Sequence, residues 1–174
     1  MAVLVASSQM PAAEAAPSKP ARLPSEFETP QLRGLGGDDN PRVPPFQTLP
    51  SGVRFTDLQE GTGPAVEEGK SLSCQWVLRR MNGYFVDSSA ANNYDPFLFR
   101  VGDTRRVIRG VDVGVRGMRQ GGKRRLIVPP DLAYVGGVGD DKPGPVPTGF
   151  GPRRQITNRK NEPLLFDIEV TRVR

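Results

Sequence analysis

The chain has 174 residues, no histidine, a single cysteine and a net charge of +5. These facts exclude a Ser-His-Asp or Cys-His catalytic arrangement, an internal disulfide and any metal site built on imidazole. Its 20 glycines and 18 prolines point to many turns and away from a helical bundle.

The first six residues are apolar, and Ala13-Glu14-Ala15 has the A-x-A pattern that signal peptidases cleave. The apolar stretch is shorter than a full signal core and lacks a basic flank. Residues 1–15 therefore read as the remnant of a targeting peptide, with an Ala-rich unstructured start as the alternative. Residues 16–50 hold prolines at 17, 20, 24, 30, 41, 44, 45 and 50 and keep no hydrophobic period, which predicts an extended arm. Phe27, Leu32, Leu35, Val43 and Phe46 give that arm apolar points for docking. No apolar run reaches the roughly 18 residues of a membrane span.

Residues 51–174 read as one folded domain. Gly52 to Leu58 alternates as a strand and stops at Gly61-Thr62-Gly63-Pro64. Leu72, Cys74, Trp76 and Leu78 alternate with more polar neighbours, so a half-buried strand is expected and Cys74 is a packing residue. Asn82-Gly83 signals a hairpin, after which Tyr84-Phe85-Val86 restarts the strand. Pro96 to Val101 is a further short strand. Apolar residues at 107, 108, 111, 115 and 118 predict about three helical turns, shortened by Gly110, Gly114 and Gly117. Lys123 to Val128 is a strand ended by Pro129-Pro130. In the last strand Leu164, Phe166, Ile168 and Val170 form an apolar face, with Asp167, Glu169 and Thr171 expected to face water. The class is α+β, a twisted antiparallel β-sheet wrapped around one short α-helix. The basic clusters, such as Arg79-Arg80 and Lys123-Arg124-Arg125, read as a solvated mixed surface. No aromatic RNA-binding signature or zinc-finger spacing accompanies them, which argues against nucleic acid.

Several runs resemble the FKBP family: Asp87-Ser88-Ser89, Pro96-Phe97-Leu98-Phe99, Val107-Ile108-Arg109-Gly110-Val111-Asp112 through Met118, Gly121-Gly122-Lys123-Arg124, and Pro129-Pro130-Asp131-Leu132-Ala133-Tyr134. The closing run from Leu164 to Val170 completes the pattern. Arg79 to Val86, and Gly149 to Arg154 leading to Asn161-Glu162-Pro163-Leu164, are similar to the plant and green-algal chloroplast branch, whose members are thylakoid-lumen proteins.

The resemblance implies a peptidyl-prolyl cis-trans isomerase that takes prolyl segments of client proteins. Rotation about an X-Pro bond faces about 18–20 kcal/mol of amide resonance. A dry apolar pocket that binds the twisted amide better than the planar one supplies the catalysis, with no cofactor or metal. Carried over position by position, Asp87, Phe97, Ile108, Tyr134 and Phe166 are the expected catalytic residues. Trp76, Val86, Val107 and Val111 are expected to line the substrate site. The Ile108 backbone N–H would donate to one substrate carbonyl and the Tyr134 hydroxyl to another.

Packing alone would also place Phe97, Ile108, Phe166 and Trp76 in the core of any small sheet-on-helix domain, and Asp87 is equally a turn cap. Three positions depart from the family: Trp76 for a strand Tyr, Val86 for a Phe and Val111 for the floor Trp. Each aromatic-to-valine change removes much of a contact area of roughly 150–250 Å², which implies a shallower pocket and weaker activity. Val135 replaces a usual Gly, and residues 135–163 form a long insertion with prolines at 143, 145, 147, 152 and 163. It either lids the pocket or offers a docking surface through Phe150, Arg153 and Arg154. Two functions follow: a chloroplast isomerase assisting folding or assembly, or a catalytically decayed assembly factor of a thylakoid membrane complex. The isomerase requires a water-excluding hollow able to admit a proline ring.

Overall fold

The computed structural model describes residues 43–174. The expected targeting remnant and the arm up to residue 42 lie outside the described residues. Chain order runs β1 (Gln47–Thr48), β2 (Arg54–Gln59), β3 (Ser71–Arg80), β4 (Phe85–Ser88), β5 (Phe97–Arg100), α1 (Arg109–Val115), β6 (Lys123–Val128), α2 (Phe150–Thr157) and β7 (Leu164–Val173). No helix among the described residues is long and apolar enough to cross a membrane.

The strands form one antiparallel sheet in the order β1-β2-β6-β7-β3-β4, with β5 also paired to β3. β3 and β7 are its long centre, ten residues each, and the alternation read from the sequence buries Leu72, Cys74, Trp76 and Leu78 on β3. The edge of β3 away from β7 is shared. β5 pairs with its first half, through Cys74↔Phe97, and β4 with its second half, through Leu78↔Asp87. Leu78 also faces Phe166 on β7, so Asp87 and Phe166 stand two strands apart on the concave face. That face packs on α1 in a core containing Val53, Leu78, Val107, Val115, Leu126, Phe166 and Val170, all fully buried.

The sheet starts earlier than the sequence reading of the domain. Gln47 and Thr48 pair with Phe55 and Arg54, Thr56 donates its hydroxyl to the Pro44 carbonyl at 2.8 Å, and Phe46 carries the Arg54 guanidinium 5.2 Å from its ring centre. The end of the expected arm thus supplies an edge strand.

α1 spans seven residues, two turns where about three were expected. Its glycines serve close approach to the sheet. A Cβ on Gly110 would lie 2.2 Å from Val128 Cγ1, and one on Gly114 would lie 2.6 Å from Leu126 Cδ1. Arg124 closes the other end of the helix by donating to the Gly114 and Arg116 carbonyls at 3.0 and 3.2 Å, as suits a cation at a helix C-terminus.

Two sequence expectations are corrected here. Asp167 does not simply face water: it receives Arg125 Nε and Nη2 at 2.7 and 2.9 Å. Arg124, likewise buried, holds Asp57 at 2.6 and 3.0 Å. These two members of the 123–125 cluster are paired within the sheet, so they are not part of a solvated basic face.

Candidate active site

The residues singled out by sequence meet on the concave face. Trp76, Val86, Val107, Ile108, Val111, Tyr134 and Phe166 belong to one buried apolar cluster, and Phe97 packs against it partly exposed. β3 contributes Trp76, β4 contributes Val86 and Asp87, β5 Phe97 and β7 Phe166. Val107 and Ile108 lead into α1, which carries Val111. Tyr134 follows a short 3-10 turn at Pro130–Leu132, and its ring lies 6.4 Å from that of Phe166. Phe97 stacks on Phe99 at 5.2 Å.

Ile108 has an extended backbone and stands just before the first turn of α1. Its carbonyl takes the amides of Val111 and Asp112, which leaves its own N–H pointing away from the helix. The Tyr134 phenol is pushed above the usual tyrosine range, first by burial and then by the charge of Asp87. It therefore remains a protonated donor near neutral pH. Burial also pushes the Cys74 thiol up to about 12, so it behaves as an inert core group.

The hollow defined by these residues is filled by the chain itself. Residues 143–147 of the long insertion cross it, with Gly144, Pro145 and Pro147 buried. The Ile108 N–H donates to the Gly144 carbonyl at 2.9 Å, and the Gly144 N–H donates to the Arg106 carbonyl at 2.9 Å. The Tyr134 hydroxyl donates to the Pro145 carbonyl. Gly144 lies so close to the Phe97 ring that a Cβ would come within 2.9 Å of Cε2. The Gly144–Pro145 peptide bond is cis. A cleft of about 190 Å³ remains beside this segment, lined by Ile108, Tyr134 and Pro143 among others.

Asp87 ties the same segment down from the other side. Its carboxylate accepts from the Ser88 N–H at 2.8 Å, from Asn92 Nδ2 at 3.2 Å and from the Thr148 N–H at 3.0 Å. One carboxylate thus caps the turn at Ser88 and also holds the insertion at Thr148. The Thr148 hydroxyl donates to Asn92 Oδ1. Arg153 Nε donates to the Pro147 carbonyl at 2.6 Å, and its Nη2 pairs with Asp140. Arg153 is thus occupied inside the insertion, whereas Phe150 is 79% exposed on α2.

Sequence reasoning missed Gly144, Pro145, Asn92 and Thr148 as site residues, and it missed α2. The prolines at 143, 145 and 147 were visible as a cluster, but nothing in their spacing says which ring enters the hollow. α2 buries only Ile156 and carries Gly151 and Pro152 in its first turn, so it has no apolar period to detect.

The antiparallel sheet packed on a short helix is an FKBP fold. The family profile described as FKBP-type peptidyl-prolyl cis-trans isomerase matches residues 63–171, and the chain belongs to that family. It is similar to the Arabidopsis thaliana protein "Peptidyl-prolyl cis-trans isomerase FKBP16-1, chloroplastic", 38% identical over 128 residues, covering 72% of this chain and 59% of that one. It is 32% identical over 148 residues to the same plant's "FKBP16-3, chloroplastic", covering 79% of this chain and 60% of the relative. Among solved structures, the crystal structure of AtFKBP13 aligns with a TM-score of 0.54 at 33% identity, covering 73% of this chain and 97% of that one. The chain thus spans about three-fifths of the length of the two chloroplast relatives.

Proposed function

We propose that the protein is a peptidyl-prolyl cis-trans isomerase acting on prolyl segments of client proteins in the chloroplast, where it assists folding or assembly. One observation carries this reading: the hollow already holds an X-Pro unit between the Ile108 N–H and the Tyr134 hydroxyl. Both donors are the ones the reaction needs, and the surrounding wall is apolar. In such a seat the twisted amide, which has lost its resonance and some polarity, gains over the planar one. Every 1.4 kcal/mol of that preference is worth about tenfold in rate.

Similarity to chloroplastic relatives supports the compartment. Placement in the thylakoid lumen is the finer step, supported by the A-x-A pattern at residues 13–15. Val86 and Val111, where aromatic rings would give a larger wall, support a modest turnover rate. The test is cis/trans exchange of an X-Pro peptide with micromolar protein, run on the native chain and on a variant whose insertion is freed from the hollow. Acceleration above the thermal rate is expected, larger for the freed variant. Thermal rates with both would remove the isomerase reading.

A further inference from the structure

The feature that the isomerase reading leaves unexplained is the occupant. A surface insertion has no need to bury a proline, yet this one buries Gly144, Pro145 and Pro147 and consumes both donors of the site. Gly144 takes the Ile108 N–H and returns its own N–H to Arg106, so the segment runs beside residues 106–108 as a short parallel bridge. The carbonyl before the proline and the carbonyl of the proline itself are both satisfied, as they would be in a bound guest peptide.

We propose that residues 143–147 are a built-in competitive occupant of the prolyl site, so that the resting protein is autoinhibited and a client binds only as this segment leaves. The proposal rests on the reading of the hollow as a prolyl seat. Occupant and guest cannot share the place, because each needs the same two donors and the same apolar volume. A tethered occupant also competes at an effective concentration of around millimolar, well above that of most client segments. The strap is held by three further contacts. Thr148 donates to Asp87, Arg153 donates to the Pro147 carbonyl, and Arg153 pairs with Asp140. The two Arg153 contacts lie within the insertion itself, so they can be cut without changing a residue of the hollow's wall.

Apparent affinity for a guest falls by the fraction of molecules whose seat is empty. An occupant present nine-tenths of the time or more thus lowers guest affinity on the order of tenfold or more. The test measures binding of a fluorescein-labelled Ala-Leu-Pro-Phe peptide to the full chain and to two variants by fluorescence polarisation. Pro145→Ala removes the ring from the seat, and Arg153→Ala cuts the outer latch. Binding should tighten on the order of tenfold or more for P145A, and by a smaller factor in the same direction for R153A. Equal affinity across the three proteins, or binding by none, overturns the proposal. If P145A does not fold by circular dichroism, R153A decides alone. The isomerase rate of the variants on the same peptide is a separate readout: tighter binding without acceleration would retire the enzyme and leave the occupant standing.

Discussion

Tyr134 and Pro145 meet as donor and acceptor inside the closed hollow, the phenol hydroxyl pointing at the proline carbonyl. Tyr134 is buried and its ring is tilted 42° against Phe166, so the hydroxyl has one fixed direction in which to donate. Asp87, the carboxylate whose charge acts on that phenol, accepts from the Thr148 N–H three residues beyond Pro145. The insertion is therefore held by side chains of the site, and the site's polarity is completed by the insertion.

Replacing Tyr134 by Phe strips the Pro145 carbonyl of its donor in a buried place. Urea unfolding should show a loss of about 1–3 kcal/mol, the cost of a stranded buried polar group, at unchanged m-value. The same donor serves the occupant and any guest, so both weaken together. Affinity for a prolyl peptide should consequently move by no more than about threefold. A much larger loss would mean that the hydroxyl serves the guest alone.

Alkaline pH should destabilise the protein in two stages. Cys74 and Tyr134 are both native in their neutral forms, and both titrate higher folded than unfolded. Their contributions are fully present below the unfolded values and are lost as pH rises. From about pH 8.5, the free-thiol value, towards about 12, Cys74 should cost about 1.4 kcal/mol per pH unit. Above about pH 10 Tyr134 adds a similar slope. Urea unfolding at pH 8, 9 and 10 should give a clearly flatter profile for C74A; a variant as steep as the native chain would contradict the assignment.

The strands and the donor pair were legible because each is written locally. Leu72, Cys74, Trp76 and Leu78 alternate within one strand, and Ile108 and Tyr134 sit in short runs that carry the family pattern. The occupant was not legible, because burial of Pro145 depends on where residues 106–108 lie in space, 37 positions from it at the Ile108 donor. The Arg125–Asp167 pair was missed for a related reason. A single strand tells which residues share a face, but register tells which of them meet, and that appears only when β6 is laid against β7.

That pair gives a sharp stability test. Arg125 and Asp167 are direct cross-strand partners, with side chains 8% and 17% exposed, and they bond through two parallel N–H···O contacts. D167N leaves the guanidinium buried with no charge opposite, which should cost about 3 kcal/mol. The double change R125M/D167L removes both charges and should return to within about 1 kcal/mol of the native chain. If the double variant is as unstable as D167N, packing rather than charge pairing controls this position.

The two helix glycines should respond differently to alanine, although helix propensity favours both changes by about 1 kcal/mol. At Gly110 the new Cβ meets Val128 Cγ1 at 2.2 Å and the Leu132 carbonyl oxygen at 3.1 Å, a short β-branched side chain on one side and backbone on the other. Neither can retreat far, so overpacking of about 1–3 kcal/mol should exceed the propensity gain and leave G110A less stable. At Gly114 the obstacles are the two Leu126 methyls at 2.6 and 2.8 Å, ends of a longer side chain with a choice of rotamers. G114A should sit closer to the native stability, ahead of G110A by about 1 kcal/mol in urea unfolding. Because Ile108 is the residue just before α1, a helix pushed off the sheet at Gly110 also moves the amide that holds Gly144. G110A should therefore expose the Ile108 N–H to faster hydrogen exchange, while G114A leaves its protection close to native. Equal exchange in the two variants would separate the position of the helix from the closure of the site.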